Sequence, residues 1–390
     1  MTGRRANRPE WPDATAAALA THLRAHVGQF FGMSGDPAPE VRLLRAELRA
    51  RSSLYKFHVP LPTGDQTLLV KLATTPAAAK TSSAANPSKD RPRIAPFAEQ
   101  RTAVDLEYRA LSRIRDHFVR LNDPRFGAVR VFDRLALHDG FIMEAVDQPT
   151  LRTLALRGRH SRPLPAVLHR SFRHSGAWLE AYHGLAVHDD AGRLQTRRDD
   201  FIRFIEDLAG YLASHTGHGA FFAWLTSTIS ELARTHLPAL LPLALGHGDY
   251  AMRNILVGAG ERVTVLDTLA LYRTCMYRDL GYFLGDLRCS VLPALARGQL
   301  RHGWRLVDHR EAFLRGYFGG SQIPQESIRL YEVQAMLERW ASIVSEWHAA
   351  AGHVGRLRRA SLPLVSAFLR PMIRSTVCAD AYGRATECLP

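Results

Sequence analysis

The sequence predicts an α+β chain of two lobes: a small N-terminal antiparallel sheet lobe with one helix, then a larger, mainly helical C-terminal lobe. Three observations carry that prediction. Between residues 42 and 146, short β-branched and apolar runs alternate with turn residues and are interrupted by one amphipathic stretch. Beyond residue 147 apolar residues recur at helical spacing almost throughout. Inside that helical region stands a lone pair of strand-like runs, NILVG and RVTVLDT, a few residues after the tetrad HGDY.

Bulk composition sets the outer limits. The chain has 390 residues, 46% hydrophobic and 23% charged, which is ordinary globular composition at a length suited to two or three domains or two large lobes. There is no run of about 18 uninterrupted apolar residues, and the opening MTGRRANRPEWPD lacks the apolar centre of a signal peptide, so a cytoplasmic location is expected. Cys275, Cys289, Cys378 and Cys388 form no CxxC pair and have no metal-ligand spacing, which favours free thiols. Against 37 Asp+Glu stand 51 Lys+Arg, a formal net charge of +14. Such a field attracts phosphates, whether of nucleotides, nucleic acids, lipid headgroups or acidic metabolites. The basic residues are mostly scattered Arg rather than blocks, so they read as a solvated face and not as a nucleic-acid stripe.

The elements follow in order. Residues 14 to 31 carry Leu19, Leu23, Val27 and Phe30 at near-helical spacing with Gly32 as a stop, a helical extension within residues 1–41. From Val41 an antiparallel meander is expected: a short run to Leu48, then SLYKFHV, the turn LPTGDQ, and TLLVKLA, whose last strand holds Lys71. Residues 74–96, rich in Ala, Ser, Pro and Lys without periodicity, read as a mobile insertion. A helix is expected from about Phe97 to Phe118, with Val104, Leu111, Ile114 and Phe118 on one face and Glu107 along it. AVRVFDRLAL and GFIMEAV, joined by HDG, complete the first lobe, residues 42–146. Within the second lobe, residues 147–390, helices are expected near 165–187, 199–214, 219–236, 279–290, 303–318 and 325–350.

One segment carries chemistry. Transfer of a γ-phosphoryl group needs cations on the phosphates, a metal ion bridging them and a carboxylate to orient the attacking hydroxyl. His247-Gly248-Asp249-Tyr250-Ala251-Met252-Arg253-Asn254 sets an Asp and an Asn five positions apart, as a kinase catalytic loop does. In this reading Asp249 accepts the hydroxyl proton and Asn254 binds Mg²⁺. Asp267, at the end of the second hairpin strand, offers a second metal-binding carboxylate. His247 reads as loop scaffold rather than base, because Asp249 already fills that role. Asp279 in RDLGYFL reads as a helix cap that also supports the loop. His183 and the histidines of HTGH at 215–218 have no paired ligand pattern and read as surface or packing residues.

These residues resemble the aminoglycoside phosphotransferase and choline kinase-like family, which has a protein-kinase-like fold, over about Val41 to Gly320. The resemblance implies that Lys71 in LLVKLA binds phosphate and that Glu107 in EYRAL pairs with it. It implies that FIMEAVDQPTL crosses between lobes, its backbone near Glu144 to Val146 meeting adenine. GAWLEAYHGL and AFLRGY resemble later helical signatures of the family. No GxGxxG precedes Lys71; Ala50-Arg51-Ser52-Ser53-Leu54 stands there, implying phosphate contact through backbone N–H groups and the Ser52 or Ser53 hydroxyl. Thr268 follows the metal Asp where the family usually has an aromatic residue.

The expected function is transfer of the γ-phosphate of ATP or GTP, with Mg²⁺, to a hydroxyl of a small molecule: a sugar, amino alcohol, nucleoside-like compound or antibiotic. The basic chain favours a neutral or anionic acceptor over a polycationic one. A nucleotide-binding scaffold without catalysis, acting through partners, is the alternative, and a nucleic-acid-binding protein rests on charge alone.

Overall fold

The computed structural model describes residues 13–33, 40–48, 52–73, 100–135, 139–157, 164–185, 192–268, 272–290, 306–350 and 352–378. The insertion expected at 74–96 lies outside these residues, as do Arg51 and Cys388. Described residues up to 73, with 100–112 and 129–147, form one compact unit; 113–128 and those from 148 onward form a second.

The first unit begins with helix α1 (Asp13–Phe31) and a sheet of β1 (Arg42–Leu48), β2 (Ser52–Val59), β3 (Gln66–Ala73), β5 (Val131–Leu135) and β6 (Gly140–Glu144). Strand order is β1-β2-β3-β6-β5, antiparallel throughout. Alternation along β3 sends Leu68, Val70 and Leu72 into a core with Leu19, Leu23, Val27 and Phe30 of α1. By the same period of two, Lys71 faces the other side. There helix α2 (Gln100–Leu121) brings Glu107 to it.

The second unit holds the C-terminal half of α2, the short strand β4 (Phe126–Gly127), and helices α3 (Leu151–Arg157), α4 (Leu164–His183), α5 (Arg198–Thr216) and α6 (Gly219–His236). Further on come α7 (Tyr277–Cys289), α8 (Leu306–Phe318), α9 (Gln325–Ala349), α10 (Gly352–Ala360) and α11 (Leu362–Val377). Local chemistry sets the ends of α5: Asp200 Oδ2 accepts from the Arg197 N–H at 3.0 Å, and Gly217, at φ 72°, ends the helix with its N–H on Ala213 O. The expected hairpin is β9 (Ile255–Val257) and β10 (Val263–Val265), with β4 added in parallel to β10.

The helical lobe holds a second small sheet that periodicity does not reveal. It comprises β7 (Gly192–Arg193), β8 (Leu243–Leu245) and β11 (Tyr272–Cys275) in the order β7-β11-β8. Strands of two to four residues are too short to alternate visibly. The loop from His247 to Asn254 is therefore stretched between β8 of one sheet and β9 of the other.

Helix α7 lies very close to α9. A Cβ on Gly281 would stand 2.3 Å from the Tyr331 carbonyl carbon, and one on Gly285 would stand 2.9 Å from Ala335 Cβ. Backbone cannot yield as a flexible side chain does. Gly281→Ala should thus cost about 1–3 kcal/mol, read as a lowered thermal midpoint, and an unchanged midpoint would contradict this packing.

Candidate active site

The loop from His247 to Asn254 divides its side chains between interior and surface. Tyr250, Ala251 and Met252 are fully buried. The Tyr250 hydroxyl donates to Ser175 O of α4 at 2.6 Å, and its ring lies among Trp178, Phe283 and Phe313. Met252 O accepts from the Arg152 N–H at 3.1 Å. With these anchored, Asp249 and Arg253 emerge half-buried on the outer side.

Asp249 is held from three directions. Asn254 Nδ2 donates to its Oδ2 at 2.8 Å and to its main-chain oxygen at 2.9 Å. The Tyr282 hydroxyl of α7 donates to Oδ1 at 2.9 Å, and Arg253 Nη2 donates to the same oxygen. The spacing of five thus brings Asp249 and Asn254 into direct contact. With its amide nitrogen turned to Asp249, Asn254 has its carbonyl Oδ1 as a hard donor for a cation.

Asp267 follows β10 at φ 55°, the left-handed region that Asp tolerates better than most residues. The N–H of Leu266, its neighbour, donates to Asn254 O at 2.9 Å, tying the end of the hairpin to the loop. Buried Thr268, next in the chain after Asp267, puts its hydroxyl 3.3 Å from the Tyr182 hydroxyl. Among the described residues no three His, Cys, Asp or Glu side chains are placed to hold a metal by themselves. The Asn254 oxygen and the Asp267 carboxylate nonetheless match Mg²⁺, which takes one or two carboxylates and completes its octahedron with water and phosphate oxygens.

Beneath the loop lies a support system. Asp279, in the first turn of α7, accepts from the N–H groups of His247 at 2.7 Å and Gly248 at 3.0 Å. The residue that caps α7 is Met276, without a side-chain cap bond, so the carboxylate of Asp279 is spent on the loop and not on its own helix. Burial alone would raise the Asp279 pKa; His183, His247 and the loop N–H outweigh it and hold the pKa below the ordinary value.

His183, expected as a surface or packing residue, packs its ring on Tyr182 and Tyr317 and has polar partners as well. It is buried, with Nε2 3.2 Å from Asp279 Oδ2 and Nδ1 2.7 Å from the Tyr317 hydroxyl. It was legible only as the last residue of the helix in GAWLEAYH, with nothing in the sequence to name its partner.

His247 is wholly buried, its ring edge-on to Trp178, Tyr182 and Tyr250. The Asp249 N–H donates to its Nδ1 at 3.4 Å, which places the proton of the neutral ring on Nε2. Burial lowers its pKa, opposed by the charges of Asp279, Asp249 and Asp267. Because the folded pKa lies below the unfolded value, the unfolded chain takes the proton first, and stability falls as pH drops below about 6.5 by up to about 1.4 kcal/mol per unit. His247→Gln should flatten that fall. Thermal midpoints at about pH 7.5 and 5.5 check it, and an equal fall in the variant would contradict it.

In the first unit, Lys71 Nζ donates to Glu107 Oε1 at 2.6 Å, with both side chains largely buried. Ser52 and Ser53 lie inside strand β2, opposite Ala73 and Leu72, and not in a loop; the Ser52 side chain is buried. The N–H groups of Glu144 and Ala145 are spent on Arg130 O and Thr67 O, and Glu144 Oε1 accepts from the Arg130 N–H. An adenine contact through the Glu144 N–H would have to displace Arg130; Val146 lies next in the partly buried segment after β6.

No protein-family model matches the chain, and no curated protein matches it. Solved structures do. The chain aligns over 92% of its length with 98% of a Ralstonia eutropha protein assigned as an aminoglycoside phosphotransferase, at a TM-score of 0.57 and 15% identity. The fold is that of the aminoglycoside phosphotransferases. A spectinomycin phosphotransferase, solved with ADP and spectinomycin, shares this fold over 92% of this chain and 98% of its own (TM-score 0.50, 13% identity). The Plasmodium vivax ethanolamine kinase does so over 94% and 91% (TM-score 0.50, 11% identity). Among the described residues no helix is long and apolar enough to cross a membrane.

Proposed function

We propose that the protein is an ATP- and Mg²⁺-dependent phosphotransferase acting on a hydroxyl of a small molecule. The observation that carries this reading is the joined geometry of Asp249, Asn254 and Asp267: a half-buried carboxylate fixed by the Asn, and a second carboxylate tied to that Asn through the Leu266 N–H. Asp249 orients the acceptor hydroxyl and takes its proton as the oxygen attacks the γ-phosphorus. Asn254 and Asp267 would hold the Mg²⁺, which when bound neutralises developing charge on the phosphates. Lys71, aimed by Glu107, supplies a cation to the nucleotide phosphates.

The acceptor is read as neutral or anionic. On α7 and α9 the carboxylates of Asp286, Glu332 and Glu338 are buried, each paired with an arginine. Beside Asp249 itself stands the guanidinium of Arg253. A site for polycations needs exposed acids, and these are covered. A coupled ADP-release screen over sugars, amino alcohols, nucleosides and aminoglycosides with Mg²⁺ tests the proposal. Release that depends on a neutral or anionic hydroxyl compound supports it; release that depends only on aminoglycosides would sink the acceptor assignment.

A further inference from the structure

Asp249 carries more donors than a free base should. Its Oδ1 accepts from both Arg253 Nη2 and the Tyr282 hydroxyl. A carboxylate oxygen has two in-plane lone pairs, so Oδ1 is full and a hydroxyl or water reaches that oxygen only by displacing a donor, while Oδ2 accepts from Asn254 Nδ2 alone. Tyr282 is set in α7 between buried Gly281 and Phe283. Arg253, with a side chain 39% exposed on a long stem, is the donor able to leave.

A second seat lies beside it. Arg253 Nη1 is 3.8 Å from Asp286 Oδ1, beyond hydrogen-bond range. Asp286 is 7% exposed; Arg339 of α9 reaches its Oδ1 at 3.4 Å, while its Oδ2 has no hydrogen-bond partner among the described residues. A buried carboxylate oxygen without a donor is costly, so a guanidinium moving onto it is favoured. Arg253 is a cation where it stands, because Asp249, Tyr282 and Asp286 more than offset the burial that opposes its charge, and a guanidinium that moves keeps its proton.

We propose that Arg253 is a positioning residue with two seats, on Asp249 in the resting protein and on Asp286 once an acceptor hydroxyl has taken Asp249 Oδ1, and that this guard makes the site discriminate an acceptor from water. The inference rests on the phosphotransferase reading above. Water brings no binding energy beyond its own hydrogen bonds and cannot dislodge the guanidinium. An acceptor brings the contacts of its whole body and can drive the exchange, as in specificity gained by induced fit. In the reaction that is suppressed, a water oxygen would bond to the γ-phosphorus while the bridging oxygen of ADP leaves with the bonding pair. The water proton would pass to Asp249, leaving inorganic phosphate.

The test needs no knowledge of the acceptor. Phosphate release from Mg·ATP in acceptor-free buffer is measured for wild type, Arg253→Ala and Arg253→Lys, with calorimetric titration of Mg·ATP and a thermal melt alongside. The alanine variant should release phosphate about tenfold or more faster than wild type, a share of the range that a freed general base contributes. Lys, a shorter point charge, should restore part of the guard. Adding Asp249→Asn to Arg253→Ala should cancel the gain, which no purely structural role would produce. If the alanine variant is unfolded by its melt, Arg253→Gln, which keeps most of the stem without the charge, takes its place. Release unchanged or lowered in a folded variant that still binds Mg·ATP overturns the guard and makes Arg253 a brace for Asp249. A wild type that binds no Mg·ATP fails the phosphotransferase reading itself, and the guard with it.

Discussion

If Asp249 is the general base proposed above, Asp249→Asn should lower turnover by about 10²- to 10⁴-fold, the usual contribution of a positioned general base, or on the order of 3–5 kcal/mol of transition-state stabilisation. The loop should survive the change. Its anchors are elsewhere: Tyr250 on Ser175, the His247 and Gly248 N–H groups on Asp279, and Met252 on Arg152. An Asn oxygen still accepts from Arg253 and Tyr282, although its new amide then faces the Asn254 amide, donor against donor. Mg·ATP affinity should change little, because the proposed nucleotide and metal contacts belong to Lys71, Asn254 and Asp267 and not to Asp249. Rate assays paired with calorimetric titration separate the two effects. A rate within about threefold of wild type, far short of the general-base range, would remove Asp249 from the role.

Under the proposed function, Asp267→Ala should abolish transfer and remove Mg²⁺-dependent nucleotide binding, since one of the two proposed protein ligands to the metal is lost. Alanine has a second effect here. At φ 55° it sits in a region that Asp and Asn tolerate better, so some folding stability should go as well. Asp267→Asn keeps the backbone preference while removing the charge. It should lose binding nearly as completely at a thermal midpoint close to wild type. Titration of ATP with and without Mg²⁺ for both variants reads this directly, and retained Mg²⁺-dependent affinity in either would withdraw the metal assignment.

What the sequence made legible follows from spacing. Asp249, Asn254 and the hairpin that carries Asp267 lie within about one supersecondary unit, so local periodicity and turn chemistry were enough to order them. Lys71 and Glu107 are 36 positions apart, yet one sits on a strand of period two and the other on a helix, and each pattern fixed a face. The residues that complete the site were not visible in this way. Tyr282 and Asp286 reach Asp249 and Arg253 from α7, 33 residues on in the case of Tyr282, and nothing local marks that contact. Their one signal is helical: Asp279, Tyr282 and Asp286 follow at intervals of three and four, on one face. His183, 96 positions from Asp279, had no such signal. Sheet β7-β11-β8 escaped for another reason, because its strands are too short to carry a period.

Following the phosphorus atoms tests phosphoryl transfer most directly. With wild-type protein, Mg·ATP and the acceptor that drives ADP release, ³¹P magnetic resonance should show the γ-phosphate signal replaced by one phosphomonoester resonance in step with formation of ADP. Asp249→Asn should slow that exchange without abolishing Mg·ATP binding. A γ-phosphate signal that stays intact across the whole acceptor panel, in protein that binds Mg·ATP, would contradict catalysis and leave a nucleotide-binding scaffold in its place.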